Sequence, residues 1–284
     1  MNIIRRLCLI ALLSMLALPA AIAQNGAAPP STLRIYIFDN GAIRGLDPQL
    51  FNFRADELAE VDFINVSYLI VHPRGTLMFD TGAVPDSSFD EHDGPVTEGF
   101  MTATQPLKPQ MAAVGYQPAD VEYLVLSHYH SDHTANANDF AGATWIVQQV
   151  EHEFMFADDP EGIIQPAQFS ALRNAQTKIL DNEDFDVFGD GKVMVMSTPG
   201  HTPGHQVIAV ELDNAGMILL GGDLYHYPEE ITTGRTPTFE FDAEQSRASR
   251  AKVQAFLEQT GGTLWIEHDI ATHAKLPMAP DYVD

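Results

Sequence analysis

Seven residues, Ser127-His128-Tyr129-His130-Ser131-Asp132-His133, constrain this chain more than any other stretch. They follow directly on the apolar run 121–126, which predicts a strand. Residues two apart on an extended backbone point the same way, so His128 and His130 can converge on one point. Asp132 and His133 are neighbours and point apart, which suits a second point close by. Four ligand-type side chains within six residues are poorly explained by packing, and imidazole together with carboxylate suits zinc. The fold must therefore bring a strand end to a place where such side chains meet.

A second motif, Thr198-Pro199-Gly200-His201-Thr202-Pro203-Gly204-His205, follows the apolar run 193–196. Its glycine–proline turns fix the backbone and present a histidine rigidly, as a metal ligand needs. One histidine suffices. We assign His201 and read His205 as structural. Asp223 follows the run 217–220 in Gly221-Gly222-Asp223, and His268 follows 263–266 in Glu267-His268-Asp269. Alone, each is an ordinary polar residue after a strand. Their weight comes from all four motifs lying at strand ends, where α/β folds build sites.

The remaining pattern predicts strands over 33–38, 63–71, 77–79, 144–147 and 206–212, with Asp213-Asn214-Ala215-Gly216 as a hairpin turn. Helices are expected over 107–114 and 244–259, the second capped by Asp242 with Gln245 completing a capping box. Segments 41–61, with Phe51 and Phe53, and 83–104 read as long loops able to rim a pocket. Alternating strands and helices without repeats imply one layered α/β domain over 33–284. With 15 Lys+Arg against 39 Asp+Glu, a net charge of -24, the chain should repel nucleic acid and anionic membranes.

Arg5 and Arg6, the apolar run 7–18 and Ala21-Ile22-Ala23 predict a signal peptide over 1–23, followed by a mobile leader over 24–32. The run is shorter than the roughly 20 residues a membrane span needs, so no stable membrane anchor is expected. A periplasmic or extracellular location follows. The single cysteine, Cys8, lies in this segment, which leaves the mature chain with no thiolate ligand or nucleophile.

Taken in order, HxHxDH, GHTPGH, GGD and EHD, preceded by Phe79-Asp80-Thr81-Gly82, resemble the metallo-β-lactamase superfamily over essentially the whole mature chain. The resemblance implies an α/β fold, a four-layer αββα sandwich with two Zn2+ at one edge, other divalent metals being acceptable. It implies that His128, His130 and His201 hold one metal and that Asp132, His133 and His268 hold the other. Asp223 would bridge both, opposite a bridging hydroxide, and Asp80 would orient the site without being a ligand.

Within the superfamily, Gly222-Asp223-Leu224-Tyr225-His226-Tyr227-Pro228 and Trp265-Ile266-Glu267-His268-Asp269-Ile270 are most similar to the signal-peptide-bearing N-acyl-homoserine lactonases. That resemblance implies attack of the bridging hydroxide on a small neutral lactone or ester. Asp132 would shuttle the proton, with Asp223 as the alternative. Cytoplasmic lactonases place a tyrosine three residues after the bridging aspartate. Here His226 stands there and Tyr225 precedes it, so either could contact the substrate carbonyl, and the spacing favours His226. A phosphotriesterase-like or arylesterase-like hydrolase would use the same metal site. A non-catalytic zinc-binding secreted protein is a third reading, opposed by the complete set of ligand positions. The sequence is also compatible with a homodimer.

Overall fold

Apolar side chains alternate along β1 and sort onto two faces, which is what makes this chain layered. In the computed structural model, which describes residues 30–158 and 162–284, two β-sheets pack face to face. The signal peptide, Cys8 and most of the leader lie outside the described residues.

The first sheet holds β1 (Arg34–Ile43), β2 (Phe63–His72), β3 (Gly75–Phe79), β4 (Val96–Glu98), β5 (Met101–Ala103), β6 (Tyr123–Val125), β7 (Thr144–Gln148) and β8 (Thr177–Leu180), in the order β4-β5-β1-β2-β3-β6-β7-β8. The second holds β9 (Phe185–Asp186), β10 (Val193–Ser197), β11 (Gln206–Leu212), β12 (Gly216–Leu220) and β13 (Thr263–Trp265), in the order β13-β12-β11-β10-β9. The helices are α1 (Leu107–Ala113), α2 (Ser131–Thr134), α3 (Gln149–Met155), α4 (Pro166–Phe169), α5 (Pro228–Thr233), α6 (Ala243–Thr260) and α7 (Ile270–His273).

Ile35 and Ile37 face inward and share one buried cluster with Val195, Ile208 and Leu220 of the second sheet. Tyr36 and Phe38, one residue out of phase, cluster instead with Leu107 and Met111 of α1. On the far side, Val207, Ala209 and Leu219 turn away from the inter-sheet core and meet Val253 and Leu257 of α6. The layers therefore run helix, sheet, sheet, helix, as the resemblance implied. The Asp242 carboxylate caps α6 by accepting from the N–H groups of Glu244 and Gln245. The helix stops at Gly261, whose φ of 69° only glycine adopts readily.

Two expected loops prove partly regular. β1 runs on to Ile43, and 83–104 contains the β4–β5 hairpin, joined to β1 through Ala42↔Thr102. Three-residue strands such as Val96–Glu98 are too short to show an alternation in sequence.

Strand directions gather the motifs. β10 and β12 both run antiparallel to β11, and β13 runs parallel to β12. The carboxyl ends of β10, β12 and β13 therefore lie together, and they lead into His201, Asp223 and His268. In the other sheet, parallel β3 and β6 lead into Asp80 and the segment 127–133.

Candidate metal centre

Asp223 sits between two groups of side chains, and its two carboxylate oxygens divide them. Oδ2 lies 3.6 Å from His128 Nε2 and 3.3 Å from His201 Nε2. His130 Nδ1 is 3.1 Å from that same His201 nitrogen. Oδ1 lies 3.2 Å from His133 Nε2 and 3.0 Å from His268 Nε2. Asp132 Oδ2 joins this second group at 3.5 Å from His133 Nε2 and 3.6 Å from His268 Nε2. Within His128, His130, His201 and Asp223, and again within Asp132, His133 and His268, the donor atoms all lie within 4.8 Å of one another.

These donors fit cations. His128 Nε2, His133 Nε2 and Asp223 Oδ1 are buried and have no hydrogen-bond partner. A buried unpaired polar atom costs about 1–3 kcal/mol, so three converging on one place call for an ion. All-nitrogen-and-oxygen donors with carboxylates suit zinc and similar divalent metals.

One local expectation needs correction. Asp132 and His133 do not point apart, because the chain leaves its extended path at His130 and enters the turn of helix α2. Neighbours on a helical turn diverge less than on a strand, so both reach the same group.

The clustered side chains are braced from behind. His133 Nδ1 lies 2.9 Å from Asp80 Oδ2 and 3.2 Å from Glu267 Oε1, while Asp80 Oδ1 accepts from the Ser127 N–H at 2.6 Å. His268 Nδ1 donates to the Ile64 carbonyl at 2.9 Å. His205 lies outside both donor groups. Its Nδ1 is 2.9 Å from Thr198 Oγ1, and its Nε2 accepts from the Asp223 N–H at 3.1 Å. Gly222, at φ 47°, has to be glycine, since a Cβ there would lie 2.7 Å from Ser127 Cβ.

The centre opens into a cavity of about 460 Å³. His130, Asp132, Asp223, His226 and His268 form its polar floor. Leu46, Leu50 and Phe51 from one long connection, and Phe100 and Met101 from the other, form apolar walls. No lysine or arginine lines it among the described residues.

His226 and Tyr225 part company here. Tyr225 has extended dihedrals (φ -141°, ψ 143°), so the two side chains leave the backbone on opposite faces. His226 Nε2 reaches Asp223 Oδ2 at 3.1 Å on the cavity floor. Tyr225 turns back towards α6, where the Arg250 guanidinium sits 4.4 Å from its ring centre. Arg250 also pairs with Glu230 at 2.7 Å, and Glu230 accepts from the His226 N–H at 3.2 Å. Neither Glu230 nor Arg250 is foreseeable in sequence, since lone charges on helices are ordinarily solvated.

Charge sorts the imidazoles. Burial pushes His128 and His130 well below the usual histidine range, and their imidazole neighbours add to it. Burial also opposes a proton on His226 and His268, but Asp223 outweighs it and holds both up at about 9. Asp223 itself is held well below the carboxylate range: burial is overcome by His133, His268, His226 and His128. Behind His133, burial and the nearby Asp80 push the Glu267 carboxyl up to about 8.

Comparison with known proteins agrees with this architecture. Residues 61–258 match the family model of the metallo-beta-lactamase superfamily. The chain belongs to that superfamily and is a metal-dependent hydrolase of it. It is 30% identical over 263 residues to the N-acyl homoserine lactonase AttM of Azorhizobium caulinodans, spanning 89% of this chain and 99% of that protein. Its fold matches that of an N-acyl homoserine lactone hydrolase solved with the product N-hexanoyl-L-homoserine at its catalytic metal center. The TM-score is 0.72 at 24% identity, over 89% of this chain and 100% of the other. It is also similar to AidC, a dizinc quorum-quenching lactonase, with a TM-score of 0.60 at 23% identity over 83% and 87% of the two chains.

Proposed function

We propose that this chain opens the lactone ring of N-acyl-homoserine lactones, using two divalent ions, zinc by its donor set. The observation that carries the reading is a cavity with apolar walls, lined by no lysine or arginine among the described residues and ending on Asp223 and His226, in a chain whose curated relative along nearly its whole length is a lactonase. His128, His130 and His201 would hold one ion, Asp132, His133 and His268 the other, and Asp223 both. When bound, such ions supply an activated water and a Lewis acid for a carbonyl oxygen.

The chain's own groups do the rest. The apolar walls take the acyl chain and exclude water around the ring. His226 Nε2–H, aimed across the cavity floor, donates to the developing oxyanion. Among the described residues two carboxylates reach the cavity, Asp223 and Asp132. Asp223 faces both groups of ligands and Asp132 only one, so Asp132 takes up the proton released by the attacking water and passes it to the leaving alkoxide. Among the described residues no lysine or arginine lines the walls, which favours a neutral substrate. The export signal read in 1–23 would place this reaction outside the cytoplasm.

The test is a turnover panel of short and long acyl-homoserine lactones, a δ-lactone, a phosphotriester and a β-lactam, run with metal analysis. Acyl-homoserine lactones should be turned over fastest. A phosphotriester hydrolysed faster than every lactone would replace this reading.

A further inference from the structure

The three histidines grouped with Asp223 in the first set of donors come from two chain segments in different sheets. His128 and His130 follow β6 of the first sheet, and His201 follows β10 of the second. One backbone bond joins the segments at their margins, from the Gln206 N–H to the Ser127 carbonyl at 2.9 Å. Between the histidines themselves the link is a side chain, Glu151 of α3.

The Glu151 carboxylate is buried and accepts on both oxygens. Oε1 takes the N–H of Tyr129, the residue between His128 and His130, at 2.9 Å. Oε2 takes the Gly204 N–H at 2.8 Å, and the Thr202 hydroxyl lies 2.9 Å from each oxygen. Thr202 and Gly204 belong to the turn that carries His201. The approach is tight: a Cβ on Gly204 would lie 2.7 Å from Glu151 Cβ, which accounts for the second glycine of the GHTPGH motif. Every side-chain hydrogen bond that Glu151 makes among the described residues goes to these two segments. The other ligands are held elsewhere, His133 by Asp80 and His268 by the Ile64 carbonyl.

We infer that Glu151 is a positioning residue that sets the spacing of His128 and His130 against His201, and so controls the affinity of one metal of the pair selectively. This rests on the two-metal reading above.

The experiment uses the zinc-loaded mature chain, dialysed against rising concentrations of a chelator, with residual zinc counted by mass spectrometry. Glu151→Gln keeps the shape but turns an amide N–H2 against a backbone N–H. At the highest chelator concentration at which wild type still holds about two zinc ions, this variant should hold about one. Its weaker ion should be lost at a chelator level 10–100-fold lower, the usual effect of removing a group that supports a ligand. Thr202→Val removes one bond and leaves the carboxylate, so its plateau at one ion should appear at a level several-fold lower than in wild type. A merely structural Glu151 gives two ions retained in both variants, or a fall from two to zero without a plateau, and either result overturns the inference. If Glu151→Gln does not fold, Thr202→Val decides by the same criteria. A wild-type chain that never holds two ions overturns the two-metal reading, and this inference with it.

Discussion

The backbone N–H of Asp223 donates to Nε2 of His205 at 3.1 Å, so the second histidine of GHTPGH supports the carboxylate between the two donor groups without joining either. Burial pushes His205 down to about 3, which keeps that nitrogen free to accept. His205→Ala should therefore retain about two zinc ions while losing roughly 2–4 kcal/mol of stability, for a cavity and an unpaired N–H. His201→Ala should lose an ion instead. Zinc counted by mass spectrometry on both variants checks this, and the reverse pattern would exchange the two assignments.

Asp223→Ala removes the one group that faces both sets of ligands. Turnover should fall to near background while part of the zinc remains bound, since His128, His130 and His201 on one side and Asp132, His133 and His268 on the other survive. Metal content and turnover measured on the same sample test this. A variant with both ions and more than a tenth of wild-type activity would refute the bridge.

His226→Ala should cost on the order of 100-fold in turnover with both ions kept, the effect of losing an oxyanion donor. Tyr225→Phe should be close to wild type, because that ring is turned under Arg250. Turnover of one acyl-homoserine lactone decides, and a large loss in Tyr225→Phe alone would move the role to the tyrosine.

His226 and His268, up at about 9, and Glu267, up at about 8, all favour the protonated form in the folded chain. A raised pKa contributes stability that is complete below the unfolded value, 6.5 for histidine and 4.5 for glutamate, and is lost as pH climbs through the folded value. The metal-stripped chain should therefore melt roughly 5 °C or more lower at pH 9 than at pH 6.5. The zinc-loaded chain should show a flatter profile, because a bound cation takes the place of those protons. Calorimetry on both forms measures it, and a stripped chain whose midpoint rises with pH would contradict the charge arrangement.

The donor set was legible because each member sits in a short motif just past an apolar run, so strand prediction and ligand chemistry point to the same residues. Most strands were legible as short apolar runs, but which sheet each one joins was not, since that depends on pairing between runs distant in sequence. What escaped was anything whose meaning depends on a partner distant in sequence. Glu151 stands in no sequence motif, and its role shows only when Tyr129 and Gly204 are placed against it. Arg250 reads as a solvated charge until Glu230 is beside it. The divergence of Asp132 from His133 was misjudged because a histidine-rich segment carries no sign of where strand gives way to helix.

The cavity walls come from stretches that contribute nothing to the cluster beneath them. Leu46, Leu50 and Phe100 lie on connections well away from every ligand motif, and Leu50 and Phe100 stand 41% and 60% exposed at the mouth. Substitutions there can change which molecules enter without disturbing the donors. Descendants of such a chain are thus free to acquire new preferences one loop residue at a time, while the inherited chemistry stays intact.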